Sequence, residues 1–224
     1  MFKSILFVWM TAVIVFALGL PMVAQPQSWY QFPIIPALGE KARIMFFHVP
    51  TAWLSSLAFV ISKIYGIQYL RKKRMDDDTK SASAAALGFL FCFLATATGA
   101  IWAKFSWGTY WNWDPRQTSI FVLLLIYGAY FALRSAVEVE EKRATLSAVY
   151  SIIAAVTMPF FMFIMPRILA SLHPEPILNV QGKVEMNRTM LVVFFSSLAG
   201  FTGLFFWIWK LQVRARLLEL KRKY

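Results

Sequence analysis

Long apolar runs separated by short clusters of charged residues dominate the pattern along this chain. A helix needs about 20 residues to cross a bilayer, and each run is close to that length. The pattern predicts six spans, at residues 4–24, 43–70, 81–103, 117–133, 144–165 and 189–209. We therefore predict an all-α integral membrane protein whose residues 1–224 form a single six-helix membrane domain.

Composition and charge placement support a membrane protein over a nucleic-acid-binding one. Charged residues make up 15% of the chain, against about 25% in a soluble domain. The net charge of +12 would suit nucleic acid, but the basic residues crowd at span ends, in residues 71–74, 134–143 and 210–223. Positive charge at such places sets membrane orientation, so we expect no nucleic-acid partner.

The distribution of Lys and Arg predicts the topology. Roughly twice as many lie on the side that holds both termini as on the other side, which predicts that both termini are cytoplasmic. Residues 210–224 are then a basic cytoplasmic tail, mildly amphipathic and expected to lie at the membrane surface as a helix. Asp76–Asp78 is most simply a solvated loop, and Pro159 is expected to kink the fifth span.

A tryptophan-rich segment, residues 102–118, reads WAKFSWGTYWNWDPRQT and is predicted to lie on the outer side of the membrane. Its aromatic residues do not sustain a 3.6-residue period. Gly, Asn, Asp and Pro in the same run favour a turn or a short interfacial helix between longer elements. The segment predicts a platform for a flat ligand; the alternative is an ordinary interfacial aromatic belt. Its candidate binding residues are Trp102, Trp107, Gly108, Tyr110, Trp111, Trp113 and Asp114.

The chain contains two histidines, His48 and His173, and both fall on the predicted outer side. Two neutral imidazoles could take both axial positions of a haem iron; the alternative is two unrelated, chemically idle histidines. Arg43 and Arg116 lie on the same side, and guanidinium groups suit the two carboxylates of haem. The alternative partners are lipid phosphates or, for Arg116, the carboxylate of Asp114.

Other chemistries find little support in the sequence. Cys92 is the single cysteine and lies in an apolar run, so the chain has no disulfide, CxxC pair or CxxCH haem-attachment site. It also lacks a GxxxxGK[ST] phosphate loop. Asp114 is more consistent with a cap or turn residue than with a general base. These features favour a binding protein that is not an enzyme.

Two motifs resemble a known family. Residues 107–114, WGTYWNWD, resemble the WGxxWxWD signature of the tryptophan-rich haem-handling proteins of cytochrome c biogenesis (CcmC/CcmF/CcsA). Residues 43–50, RIMFFHVP, are similar to the R-I-M-x-x-H-V-P segment of the haem exporter protein C (CcmC) branch, and Leu172-His173 matches its second outer histidine. The resemblance covers nearly the whole chain. Tyr110 stands where many members have Trp, but it keeps most of the aromatic area.

The resemblance implies non-covalent binding of haem b, as transient cargo, at the outer face of the inner membrane. His48 and His173 would be axial ligands, Arg43 and Arg116 propionate partners, and the tryptophan-rich segment would contact the porphyrin. Implied protein partners are an ABC transporter's ATPase and permease (CcmA- and CcmB-like) and a small membrane subunit (CcmD-like). A membrane-anchored periplasmic haem chaperone (CcmE-like) would receive the haem.

Two alternatives stay open within this resemblance. A cytochrome c haem lyase of the same superfamily would attach haem to an apocytochrome, but such relatives look longer and carry additional histidines. A permease subunit would move haem across the bilayer and should show polar or haem-liganding residues in its cytoplasmic half. None are evident in the sequence.

Overall fold

Helices form almost all of the computed structural model, which describes residues 2–174 and 186–223. A 3-10 helix, Gly39–Ile44, precedes α2, and a π-helix, Phe160–Ile164, joins α5 to α6. Within the described part of the chain, six helical segments are long and apolar enough to cross a membrane, which confirms the predicted all-α, six-span architecture. The α-helices are α1 (Phe2–Gly19), α2 (Met45–Lys72), α3 (Met75–Trp107), α4 (Pro115–Ala136), α5 (Glu140–Pro159), α6 (Met165–Ile168) and α7 (Arg188–Lys223).

The first span ends earlier than the apolar run suggested. α1 stops at Gly19, and two short strands follow, β1 (Met22–Val23) and β2 (Phe32–Pro33), which pair in parallel. Pro21 disfavours helical geometry in the residue before it, so the chain leaves the helix although its residues remain apolar to residue 24.

The helices α2 and α3 form the centre of the bundle. Gly88 of α3 permits their close approach, because a methyl group added there would lie 2.5 Å from the ring of Phe59. That ring in turn stacks on Tyr127 of α4, with 3.5 Å between centroids. Small residues in one helix thus let aromatic side chains of its neighbours pack closely.

Two prolines change the backbone where the cavity forms. Pro50 lies inside α2 and has no N–H to donate to the carbonyl of Phe46, which instead accepts a hydrogen bond from Ser197 of α7. Pro159 ends α5 as an α-helix, and the π-helix begins at the next residue. π-helical turns are rare and occur often at functional sites. The predicted kink at Pro159 is therefore a change of helix type.

The prediction that Asp76–Asp78 is a solvated loop is wrong. These residues form the first turn of α3, where carboxylates are favoured by the helix dipole. Asp77 and Asp78 are buried. Asp78 accepts two hydrogen bonds from Arg134 of α4, at 2.7 and 2.9 Å, and Asp77 pairs with Arg74. The cluster joins α3 to α4.

The expectation of a separate surface helix in the tail is also wrong. α7 runs without interruption from Arg188 to Lys223, because the residues after Lys210 include no Gly or Pro and are mostly good helix formers. Trp209 fixes the start of this extension, since its Nε1 donates to the carbonyl of Lys80 at 3.2 Å.

The connections between helices gather at two ends of the bundle. The connections that follow α1, α3 and α6 meet at one end, called here the site end, where Lys41 donates to the Phe105 carbonyl and Asn187 to the Gln31 carbonyl. The start of α1, the end of α7 and residues 73–74 and 137–139 occupy the other, called the terminal end. Both histidines and the tryptophan-rich segment lie at the site end.

Candidate functional site

A cavity of about 470 Å³ opens at the site end among α2, α3, α4 and the π-helix. Its size and its largely apolar lining with a few polar groups are typical of a small-molecule site. The structure brings both histidines and three tryptophans of the predicted site to this one cavity, namely His48, His173, Trp102, Trp107 and Trp111.

His48 lies in the first turn of α2 and is held by α3. Its Nδ1 is 3.0 Å from the hydroxyl oxygen of Thr98. The ring also packs against Gly99, where an added methyl group would lie 3.0 Å from Cε1 of the imidazole. Two consecutive residues of α3 therefore set the orientation of the ring.

His173 follows α6 in an irregular segment that Asp114 anchors. The Asp114 carboxylate accepts hydrogen bonds from the Ser171 hydroxyl, at 2.9 and 3.0 Å, and from the Leu172 amide at 2.7 Å. It also caps α4 by accepting from the amide of Arg116. Asp114 therefore joins two segments 57 residues apart in sequence, in keeping with the predicted structural role.

The environment of His173 keeps its imidazole neutral. Burial lowers the pKa of His173 below its ordinary value, and the positive charge of Arg116 lowers it further. The ring of Trp102 lies 5.8 Å from the imidazole, centroid to centroid. A neutral imidazole is the form that binds metal ions.

The tryptophan-rich segment forms the expected turn between longer elements only over residues 108–114. Trp102 and Trp107 belong to the last turns of α3, which ends at a Gly108 cap with φ of 84°. A loop follows, and α4 begins at Pro115. Trp102 is buried and its Nε1 donates to the carbonyl of Lys41. Ordinary helix propensity therefore prevailed over the irregular aromatic spacing.

The other residues of the segment point elsewhere. Gly108, Tyr110 and Trp113 are exposed and do not line the cavity. Trp113 has 69% of its surface exposed and adopts a φ of 57°. Its ring meets that of the cavity-lining Trp111 edge to face, at 5.7 Å. The segment thus has an inner aromatic face and an outer one.

The two predicted arginines have different environments. Arg116 lines the cavity, and its buried Nε has no hydrogen-bond partner within the described residues. Arg43 lies outside the cavity lining and donates to the carbonyls of Ala17 and Leu20, at 2.8 and 2.7 Å. The Ala17 carbonyl belongs to the last turn of α1 and the Leu20 carbonyl follows its end, so neither has a partner within that helix. The structure therefore does not bring Arg43 to the cavity.

Several cavity residues were not singled out by sequence reasoning. Lys41 and Arg167 add positive charge, and Met162 of the π-helix accepts a hydrogen bond from Ser56. Lys41 could have been found from its place two residues before Arg43. Nothing in the sequence marked Thr98, Gly99 or Ser171, because each acts through a contact with a distant segment.

Comparison with known proteins identifies the family. A family model described as heme exporter protein C matches residues 1–224. Heme exporter protein C of Bradyrhizobium diazoefficiens is 32% identical over 199 residues, which cover 88% of this chain and 73% of that protein. The Haemophilus influenzae heme exporter protein C is 30% identical over 181 residues, covering 81% and 73% respectively. The resemblance of the two motifs is therefore confirmed, and the chain belongs to the heme exporter protein C family.

Proposed function

We propose that this chain binds haem non-covalently in the cavity and delivers it to a periplasmic haem chaperone for the maturation of c-type cytochromes. The observation that carries the proposal is that His48 and His173, the two histidines of the chain, both line one largely apolar cavity with three tryptophans of the tryptophan-rich segment. The names of the matched relatives, which describe haem exporters, support haem as the cargo.

In this proposal His48 and His173 supply the axial ligands of the haem iron. Imidazole nitrogen is a common axial ligand, and two such ligands hold haem without a covalent bond. Trp102, Trp107 and Trp111 would bury the porphyrin by edge and offset contacts. Their places in the cavity lining support that role.

The propionates of haem require cationic partners. Arg116 is the best placed of the predicted pair, because it lines the cavity with an unpaired Nε. We assign the second role to Lys41 rather than Arg43, since Lys41 lines the cavity and Arg43 is occupied by the end of α1. Hydrogen bonds between ionised groups are about twice as strong as neutral ones.

We place the site end at the periplasmic face of the bacterial inner membrane. The excess of Lys and Arg on the terminal side supports cytoplasmic termini, with residues 210–223 as a basic cytoplasmic extension of α7. The tryptophan-rich segment, residues 102–118, would then face the periplasm.

Delivery without catalysis explains the two faces of the tryptophan-rich segment. The exposed Tyr110 and Trp113 would contact the CcmE-like chaperone, while the inner tryptophans hold the haem. Contact with the chaperone would have to weaken the haem site, since a partner shifts an equilibrium only by differential affinity. CcmA- and CcmB-like transporter subunits and a CcmD-like small subunit would complete the complex.

The visible spectrum of the purified protein tests the ligands. Wild-type protein loaded with haem should show a six-coordinate, low-spin spectrum. His48→Ala or His173→Ala should leave a five-coordinate haem, and the double variant should retain little haem. Trp29→Ala, which removes an exposed aromatic ring at the same end but outside the cavity, serves as a control. An unchanged six-coordinate spectrum in the double variant would show that the ligands are wrong.

A further inference from the structure

We propose that Thr98 is a positioning residue that holds His48 as its Nδ1–H tautomer, which leaves Nε2 as the atom that binds iron. The role given to Thr98 rests on the proposed function, in which His48 binds haem. The tautomer itself, however, is a property of the protein without haem.

The hydrogen bonds of Thr98 determine the tautomer. A hydroxyl has one hydrogen to donate and can accept through its lone pairs. The Thr98 hydroxyl donates to the carbonyl of Leu94 at 2.7 Å, within its own helix. Its oxygen can then only accept from the imidazole, whose Nδ1 is 3.0 Å away. In the proposed arrangement Nδ1 therefore carries the hydrogen, and Nε2 keeps its lone pair.

The neighbouring Gly99 lets the ring approach α3 closely enough for this contact. A methyl group at Gly99 would lie 3.0 Å from Cε1 of His48, 3.7 Å from Nδ1 and 3.9 Å from Nε2. The imidazole therefore rests on the backbone of α3, with its Cε1 edge closest to the helix. Residues 98 and 99 together fix both the proton and the orientation of the ring.

His173 reaches the same tautomer by another route. Its Nδ1 lies 2.9 Å from the carbonyl oxygen of Pro174, and a carbonyl oxygen can only accept. Both histidines therefore present Nε2 as the free nitrogen. Such an N–H partner fixes the orientation of metal-binding histidines and raises their basicity. Here both partners are neutral oxygens, which polarise the ring less than a carboxylate and suit a ligand that must release its cargo.

Nitrogen NMR of the haem-free protein tests the tautomer directly. With two histidines in the chain, ¹⁵N-histidine labelling gives two sets of ring signals, which His48→Gln assigns. The wild type should show the Nδ1–H form for His48. Thr98→Val should shift His48 towards a mixture of tautomers, and Thr98→Ser should restore the wild-type pattern. An Nε2–H form of His48 in the wild type would overturn the proposal.

Haem titration tests the consequence. Loss of such a hydrogen-bond partner weakens metal binding by about 10- to 100-fold, and we expect that loss of affinity in Thr98→Val. The midpoint potential should rise, because a less basic imidazole stabilises ferric iron less. Thr98→Ser should stay near wild type. Thr202→Val is the matched control, since Thr202 also donates to the carbonyl four residues earlier, whereas of the two threonines it is Thr98 that hydrogen-bonds His48.

The two proposals fail separately. If His48→Ala keeps the six-coordinate spectrum, haem ligation by His48 is wrong, whatever the NMR shows. If His48→Ala loses that spectrum while Thr98→Val matches Thr202→Val in affinity, potential and ring signals, haem ligation stands and the role of Thr98 is wrong. A purely structural effect of Thr98→Val would lower thermal stability without moving the His48 ring signals.

Discussion

The two ends of the bundle treat buried charge in opposite ways. At the terminal end, Asp78 and Arg134 satisfy each other through two hydrogen bonds, at 2.7 and 2.9 Å. Asp77 pairs with Arg74 at 2.9 Å, and the Lys80 ammonium lies 3.7 Å from the Asp77 carboxylate. These ion pairs satisfy both buried carboxylates of α3 within the protein.

At the site end, by contrast, the three cations that line the cavity have no ion-pair partner among the described residues. Lys41 and Arg167 donate to backbone carbonyls, and Arg116 has an unpaired buried Nε among the described residues. Asp114 is the one carboxylate in the described cavity lining, and it already accepts from Ser171 and a backbone amide. Charge that the fold leaves unpaired indicates where an anionic ligand such as a propionate would bind.

Asp78→Asn should have the largest effect on stability, because it removes the buried ion pair with Arg134 at the terminal end. Removing one partner of a buried ion pair destabilises a protein by about 3–5 kcal/mol. We expect a marked fall in thermal stability in detergent, with haem affinity of the folded protein unchanged. Glu40→Gln is the control, since its exposed pair with Arg43 should contribute no more than about 1 kcal/mol. Equal loss in both variants would contradict the comparison.

Arg116→Gln and Arg134→Gln should have effects of intermediate size on two different properties, haem affinity and thermal stability. A hydrogen bond to a charged group contributes about 1.5–3 kcal/mol, so Arg116→Gln should weaken haem binding by at least about tenfold and leave thermal stability near wild type. Arg134→Gln should lower stability and spare haem affinity. Haem titration and thermal unfolding, measured on both variants, separate the two roles. The division would be wrong if both variants changed the same property.

Trp111→Ala and Trp113→Ala should have the smallest effects on haem binding and transfer. Together they test the inner and outer aromatic faces of the tryptophan-rich segment. An aromatic contact contributes about 0.5–1.5 kcal/mol beyond buried area, so Trp111→Ala should weaken haem retention several-fold. Trp113→Ala should retain haem but transfer it more slowly to the chaperone. Retention is measured by haem content after gel filtration, and transfer by formation of the chaperone adduct. Normal retention and transfer in Trp111→Ala would contradict the platform.

The sequence predicted the elements better than the contacts. α2 begins two residues after the predicted start at Arg43, because an apolar run of membrane length almost dictates a helix. Burial of Asp78 could not be predicted, since its partner Arg134 lies 56 residues away. Likewise, the sequence did not show that Arg43 donates to the carbonyls of Ala17 and Leu20 at the end of α1.

By itself, the sequence determined the six spans, the family and the candidate residues, because bilayer thickness and side-chain chemistry act on local runs of residues. Only the tertiary structure decided which tryptophans face inward, that Asp114 holds the segment before His173, and that Thr98 meets His48. Those outcomes depend on contacts between helices, such as the 3.0 Å approach of residues 50 positions apart. The spacing of residues within one segment does not indicate which other segment packs against it.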